Sequence, residues 1–291
     1  MFILTGATGT GKTKLSLEFA YKHSFSIINF DSLSFYKDLT IVTAKPSEED
    51  CLRVHHDLIN FLNPYEKCNI FKFLHLVKEV KRKSFFVGGS IFYLQALIRK
   101  PYQENPIQEN FKSFFERIYE SIDADTTLSF LSSIDPNFLQ KYSKNDHYRI
   151  KRAILFFLAT NQPYSEQKSS EGEYSQYTIV ETVLEKKDHL YFLEKRIDSM
   201  IQDGMIEEVA DFLKKYPGAV LENTIGVKEV SMYLKKECSL TEMKEMIFIR
   251  TRQLAKRQKN FLKKFSTTKI NMIADQNPIK ILEAIVLNNS Q

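Results

Sequence analysis

The chain has 291 residues, 43% of them hydrophobic, enough to bury a large core as one domain or as one domain with an insertion. A net charge of +5 suits an acidic partner without specifying one, and Cys51, Cys68 and Cys238 stand too far apart for a disulfide framework or a zinc site. No apolar stretch reaches membrane-spanning length, and the first residues already read as strand and loop, so a cytoplasmic protein without signal peptide or membrane contact is expected.

Phe2, Ile3 and Leu4 begin an apolar strand that runs into Gly6, Ala7, Thr8, Gly9, Thr10, Gly11, Lys12 and Thr13, with helix-forming residues behind it to about Lys22. This is G-x-x-x-x-G-K-T between a strand and a helix, the setting a phosphate-binding loop needs. Glycines let several backbone N–H groups turn inward, and the helix N-terminus adds partial positive charge, so the loop can cradle a phosphate cluster. Lys12 would reach the terminal phosphate and the Thr13 hydroxyl a Mg²⁺. Residues 26–30 read as a second buried strand, with Asp31 and Ser32 at its carboxyl end, where open parallel sheets place their ligands. A carboxylate there could bind Mg²⁺, accept a proton or cap the next element.

Further along, Thr43, Ala44, Lys45 and Pro46 form a turn in which Lys45, taken alone, reads as a solvated charge. His55 and His56 are adjacent and point apart, so no metal role is assigned to them. Residues 70–82 show helical apolar spacing, 84–87 a third strand ending in Gly88, Gly89 and Ser90, and 91–98 a helix. That strand end offers no acidic residue of the kind that nucleotide-hydrolysing relatives of the loop use to hold their metal shell.

Turn-like residues 101–106 lead into helical segments at 111–122, 126–132, 136–142 and 149–159, an interruption of the alternation that reads as an insertion domain. Asn145 and Asp146 could cap a helix whose first turns carry Arg149 and Arg152 on one face. Residues 177–184 alternate as a strand, and a long helix from about Asp188 passes Met200 to an interruption at Gly204. After further helices, residues 250–264 contain no acidic side chain, and Leu254, Phe261 and Leu262 supply an apolar face. Such a helix carries the electrostatic footprint of a nucleic-acid contact. A last strand near 269–273 and a helix over 279–287 close the chain. The expected fold is α/β, a P-loop NTPase-like parallel sheet flanked by helices, with residues 1–104 and 175–291 as the core and 105–174 as the helical insertion.

These residues carry a resemblance along nearly the whole length. The loop, Asp31-Ser32 with Tyr36, Thr43-Ala44-Lys45-Pro46, His55-His56, Val87-Gly88-Gly89, Arg149 and Arg152, Arg196-Ile197 with Met200, Gly204 and Glu208-Val209, Gly226 with Glu229, and Thr251-Arg252-Gln253-Leu254-Ala255-Lys256-Arg257-Gln258 occur in the order seen in the tRNA dimethylallyltransferase family. The chain resembles these bacterial isopentenyltransferases, which transfer a dimethylallyl group from dimethylallyl diphosphate to N6 of adenosine 37 in tRNAs reading codons that start with U.

By that resemblance the loop residues 6–13 and Arg252 would bind the diphosphate, Lys12 and Thr13 with Mg²⁺ would stabilise the departing oxygen, and Asp31 would accept the N6 proton. The anticodon stem-loop would meet Asp31, Ser32, Leu33, Ser34, Ser90, Lys112, Tyr148, Arg149, Arg152, Thr224, Gly226 and Lys228, its base extruded into a channel beneath the insertion domain. The Arg252, Lys256 and Arg257 face would position phosphates, and a monomer is expected. Ser34 stands where the family often has Gln, and Ser90, where it usually has Thr, keeps the hydroxyl. The zinc finger of eukaryotic members has no counterpart after Cys238. Two other readings stay open at this point: a small-molecule P-loop kinase, and an RNA-binding protein without catalysis.

Overall fold

The computed structural model describes residues 2–99, 109–167 and 171–287. The turn expected at 101–106 and the domain boundary expected at 104/105 lie outside them. In chain order the first elements are β1 (Phe2–Gly6), α1 (Lys12–His23), β2 (Ser26–Asn29), α2 (Glu48–Arg53), β3 (His56–Asp57), α3 (Ile70–Glu79), β4 (Ser84–Val87) and α4 (Ile91–Ile98). Four helices follow, α5 (Glu109–Glu120), α6 (Ala124–Ile134), α7 (Phe138–Lys141) and α8 (His147–Thr160). The chain then forms β5 (Thr178–Val183), α9 (Lys186–Gln202), α10 (Met205–Lys215), α11 (Val227–Leu234), α12 (Leu240–Leu262), β6 (Thr268–Asn271) and α13 (Pro278–Leu287).

Among the described residues six strands form one sheet in the order β3-β2-β4-β1-β5-β6, with every pairing of these strands parallel. A parallel sheet is covered on both faces, so its strands read as continuous apolar runs, and consecutive residues must serve opposite layers. Phe2, Leu4, Ile27, Phe85 and Val180 pack under α1 and α13, against Leu15, Phe19, Leu282 and Val286. Ile3, Ile28 and Phe86 face the other layer, with Phe73 and Val77 of α3, Leu94 of α4 and buried residues of α9 to α12. The first layer is fastened by aromatic contacts, Phe2 stacking on Phe85 at 4.4 Å and meeting Phe19 edge-on at 5.3 Å. Each such ring, taken fully out of water, contributes about 2–3 kcal/mol.

The strand β3 was not legible in the sequence, since two residues carry no periodicity; it is made by pairing His56 and Asp57 with Ile27 and Ile28. The other boundaries fall within a few residues of expectation, as helix ends fray.

The chain divides into two compact units, one of Met1–Ile98 with Glu173–Gln291 and one of Arg99–Gly172. The second unit has its own core of Phe115, Leu131, Phe138, Ile150, Ala153 and Ile154. Helices α6 and α8 start on side-chain caps: Asp123 accepts from the Thr126 N–H at 2.9 Å, and Asp146 from that of Arg149 at 3.1 Å. Buried Asp135 accepts from the Ser165 N–H at 2.7 Å and from its hydroxyl, closing the end of this bundle.

Candidate active site

The loop after β1 stands at the centre of the sheet, where the strand order reverses and a crevice must open. Its shape depends on left-handed backbone at Gly9 (φ +77°) and Gly11 (φ +83°), which a β-carbon would strain. Thr10 turns inward instead of facing a ligand: its hydroxyl donates to the Ala7 carbonyl at 2.8 Å and lies 2.7 Å from the Thr182 hydroxyl of β5.

Lys12 folds back over this loop, its Nζ donating to the Gly6 carbonyl at 2.9 Å and the Ala7 carbonyl at 2.8 Å. Burial lowers its pKa from 10.5 to about 8; nearby Asp31 opposes the shift and Arg196 adds to it. Arg196, from α9, is likewise lowered by burial and supported by Asp31. Two cations thus share one carboxylate, which leaves the crevice short of negative charge and suited to a polyanion.

Asp31 leaves β2 with its backbone held by Asn29, whose Oδ1 accepts the Asp31 N–H at 3.0 Å and whose Nδ2 donates to the Asp31 carbonyl at 3.2 Å. Its Oδ1 accepts the Leu33 N–H at 3.4 Å, so the carboxylate caps the short 3₁₀ turn Ser32–Phe35 while it faces the two cations. Capping and a role in the crevice coexist here.

Two cavities meet at this carboxylate, and Thr8, Asp31, Thr43 and Arg196 line both. The first, about 320 Å³, holds the phosphate-loop chemistry: Gly9, Gly11, Lys12 and Thr13, with Ser34, Ala44 and Pro46. The second, about 490 Å³, is lined by Ser32, Leu33, Ser90, Thr224, Gly226, Thr251 and Gln258. The sequence-expected residues at these cavities therefore separate into a loop side and an acceptor side, with Asp31 on the wall between them; Ser34, expected at the RNA, lines the loop side only.

Other expected residues stand elsewhere. Arg252, expected on the diphosphate, is exposed and lines neither cavity; its guanidinium lies 5.9 Å from the Phe248 ring. Lys228 is also exposed and outside both linings. In the separate helical unit, Tyr148 is 72% exposed, Arg149 pairs with Asp146 and lies 5.5 Å from the Tyr142 ring, and Arg152 and Lys112 are partly buried. Nor do the basic residues of α12 form one face: at 100° per residue Arg252, Lys256 and Lys259 share a stripe, while Arg257 points away from it. Arg250 has its guanidinium paired with buried Glu229 and donating to the Asn223 carbonyl at 3.1 Å, and it also lines the acceptor-side cavity.

Lys45 corrects the expectation of a solvated charge. It is 9% exposed, with Nζ donating to the Tyr36 carbonyl and to Asn60 Oδ1 at 2.7 Å, and burial lowers its pKa to about 8. The turn that carries it is also held by Glu208, whose carboxylate accepts the N–H groups of Thr40, Ile41 and Val42 at 2.6, 2.8 and 2.9 Å.

Arg196 and Gln258 had no site role in the sequence reading, yet both line the acceptor-side cavity. A usable signal existed: Leu193, Ile197 and Met200 place Arg196 on an apolar helix face, and Ala255 and Leu262 do the same for Gln258. A polar side chain at a core-facing helical position has a partner or a ligand to meet.

The profile of the IPP transferase family matches residues 34–265. A tRNA dimethylallyltransferase from Nautilia profundicola is 33% identical over 294 residues, covering 99% of this chain and 99% of its own. One from Helicobacter pylori strain J99 is 35% identical over 275 residues, covering 90% and 86%. By fold the chain is similar to the tRNA isopentenylpyrophosphate transferase of Staphylococcus epidermidis, with TM-score 0.68 at 24% identity over 99% and 98% of the two chains. It is also similar to a eukaryotic dimethylallyltransferase captured acting on tRNA, with TM-score 0.82 at 24% identity over 99% and 79%. The chain belongs to the IPP transferase family and is a prenyltransferase.

Proposed function

We propose that the protein transfers a dimethylallyl group from dimethylallyl diphosphate to N6 of adenosine 37 in tRNAs reading codons that start with U, releasing diphosphate and N6-isopentenyladenosine-containing tRNA. The observation that carries this reading is the wall shared by two cavities, where Asp31 stands between the loop that can hold a diphosphate and a space open to an acceptor. Relatives named tRNA dimethylallyltransferase along the full chain support tRNA as the acceptor.

In this reading the diphosphate lies against the N–H groups of the first turn of α1, with Lys12 and Arg196 taking up its charge. The N6 lone pair attacks the allylic carbon as the carbon–oxygen bond breaks, and the bonding electrons leave with the diphosphate. Negative charge grows on that oxygen in the transition state, where positioned cations and N–H groups in a water-poor crevice lower the barrier most. Asp31 takes the proton from the amine. A substrate amine has no reason to give up that proton before attack, so the carboxylate acts late and needs to stand beside the acceptor cavity, as it does.

Among the described residues, no group of three His, Cys, Asp or Glu side chains could cage a metal. The oxygen donors of the crevice, the Thr13 hydroxyl above all, fit Mg²⁺, which binds through one or two protein oxygens and the phosphates of its substrate. When bound, Mg²⁺ would neutralise diphosphate charge from Thr13.

The test is mass spectrometry of nucleosides from an unmodified tRNA carrying A at positions 36 and 37, incubated with the protein, Mg²⁺ and dimethylallyl diphosphate, with Asp31→Ala beside it. A dimethylallyl adduct on adenosine 37, lost in the variant, is the expected result. Folded protein that consumes ATP and forms no adduct would return the kinase reading.

A further inference from the structure

Gln258 is the one polar residue among the buried positions of α12, and it is 5% exposed. Its amide joins two segments that lie far apart in the chain. Oε1 accepts the Thr8 N–H of the phosphate loop at 2.9 Å, and Nε2 donates to the Gly89 carbonyl after β4 at 2.7 Å. The partners fix the amide orientation, since a backbone N–H needs the oxygen and a carbonyl needs the NH₂. Thr8 is held from its other side as well. Its carbonyl lies 2.8 Å from Nε2 of buried His189 on α9; a carbonyl only accepts, so Nε2 carries a proton, and burial lowers the pKa of that imidazole. Both backbone polar groups of one loop residue are therefore fastened by side chains from the C-terminal part of the chain.

Gly89 shows how tightly this corner is packed. A β-carbon there would stand 2.8 Å from Gln258 Nε2, 3.4 Å from the Gly6 carbonyl and 3.7 Å from Asp31 Oδ2. The phosphate loop, the turn after β4 and the carboxylate of β2 thus converge beside the Gln258 amide.

We infer that Gln258 is a positioning residue that locks the diphosphate-holding loop to the strand end beside Asp31, so that leaving group and acceptor are held in one geometry. The Thr8 N–H that it engages is withdrawn from the ligand, which is left with the N–H groups nearer α1. Reacting groups displaced by about 1 Å can lose about a hundredfold in rate, so a lock between these two segments acts on turnover as well as on binding.

The kinetic part of this inference rests on the proposed transfer reaction; the binding part does not. The experiment compares the full chain with Gln258→Met, which removes both hydrogen bonds at similar volume, and Gln258→Glu, which keeps the acceptor for Thr8 and sets a carboxylate against the Gly89 carbonyl. Calorimetric titration with inorganic diphosphate and amide exchange of the peptide containing Thr8 are read beside kcat and both KM values. For Gln258→Met the expected results are diphosphate affinity about tenfold weaker, faster exchange at Thr8, and kcat lower by about tenfold or more, with KM for tRNA within about twofold. For Gln258→Glu, affinity stays within about threefold while kcat falls about tenfold, because only the Gly89 side is broken. If Gln258→Met does not fold, Gln258→Glu carries the test. Folded variants whose diphosphate affinity and kcat stay within about threefold of the parent would overturn the inference, as would losses that only track the fraction of folded protein. A parent protein that forms no adduct sinks the transfer reading, while diphosphate titration of Gln258→Met still decides the role of Gln258.

Discussion

Lys12 makes diphosphate binding dependent on pH in a direction that can be worked out. In the free protein, burial holds its pKa near 8, well below the ordinary 10.5, with Asp31 alone working against the shift. A diphosphate against its Nζ supplies the missing counter-charge and returns the pKa toward or above the ordinary value. Lys12 is then charged in the complex across the neutral and mildly alkaline range, but in the free protein only below about pH 8. Between about pH 7 and 9, this group by itself weakens the dissociation constant about tenfold, following (1 + 10^(pH − pKa)) for the free state. Free-protein stability moves the opposite way. The unfolded chain keeps more protons on Lys12 between about pH 8 and 10.5, so its contribution to stability rises with pH across that window and is least favourable below it. The assay is calorimetric titration of inorganic diphosphate at about pH 7, 8 and 9, with Lys12→Arg as reference, because a guanidinium stays charged throughout and cancels the titration of diphosphate itself. The parent should lose affinity relative to Lys12→Arg as pH rises, with proton uptake largest near pH 9. Parallel pH profiles for the two proteins would refute the reasoning.

Arg250→Met should destabilise the protein by about 3–5 kcal/mol in urea unfolding, since Glu229, 2% exposed, would be left as an unpaired buried carboxylate, and adding Glu229→Gln should recover a good part of the loss. Gly226→Ala places a β-carbon 2.3 Å from Val42 Cγ2 on backbone at φ +93°; a loss of about 2–4 kcal/mol and a weakened acceptor-side cavity are expected, measured by thermal unfolding and by KM for tRNA. Glu208→Ala strips the common acceptor from the N–H groups of Thr40, Ile41 and Val42. Amide exchange in residues 40–45 should quicken, with about 1–3 kcal/mol lost from global stability.

The phosphate loop could be read directly because its chemistry is local: glycine positions, a lysine and a hydroxyl within eight residues specify both the turn and its ligand class. Strands such as β1 and β4 were legible for a related reason, since a sheet covered on both faces demands apolar runs such as Phe2-Ile3-Leu4 and Phe85-Phe86. Asp31 could be located from one topological rule, that a residue at the carboxyl end of a parallel strand faces the crevice. The basic run of α12 could not be resolved into separate roles for an equally physical reason. Charge counted along a sequence ignores the helical rotation that sends Arg250 to Glu229, Gln258 to Thr8 and Gly89, and Arg252 outward. Lys45 read as a solvated charge because nothing beside it in the chain announces Asn60 or the Tyr36 carbonyl.

The sequence alone therefore determined the parallel α/β core, the phosphate loop and the carboxylate beside it, each of them written in residues that neighbour one another along the chain. Only the tertiary structure decided that Arg196 joins Lys12 in facing Asp31, that Gln258 and His189 hold Thr8 from two helices, and that Glu208 organises a turn more than a hundred and sixty residues before it. Those partners lie far apart along the chain, and what brings them together is burial: a polar group taken out of water must find its partner wherever the packed fold places one.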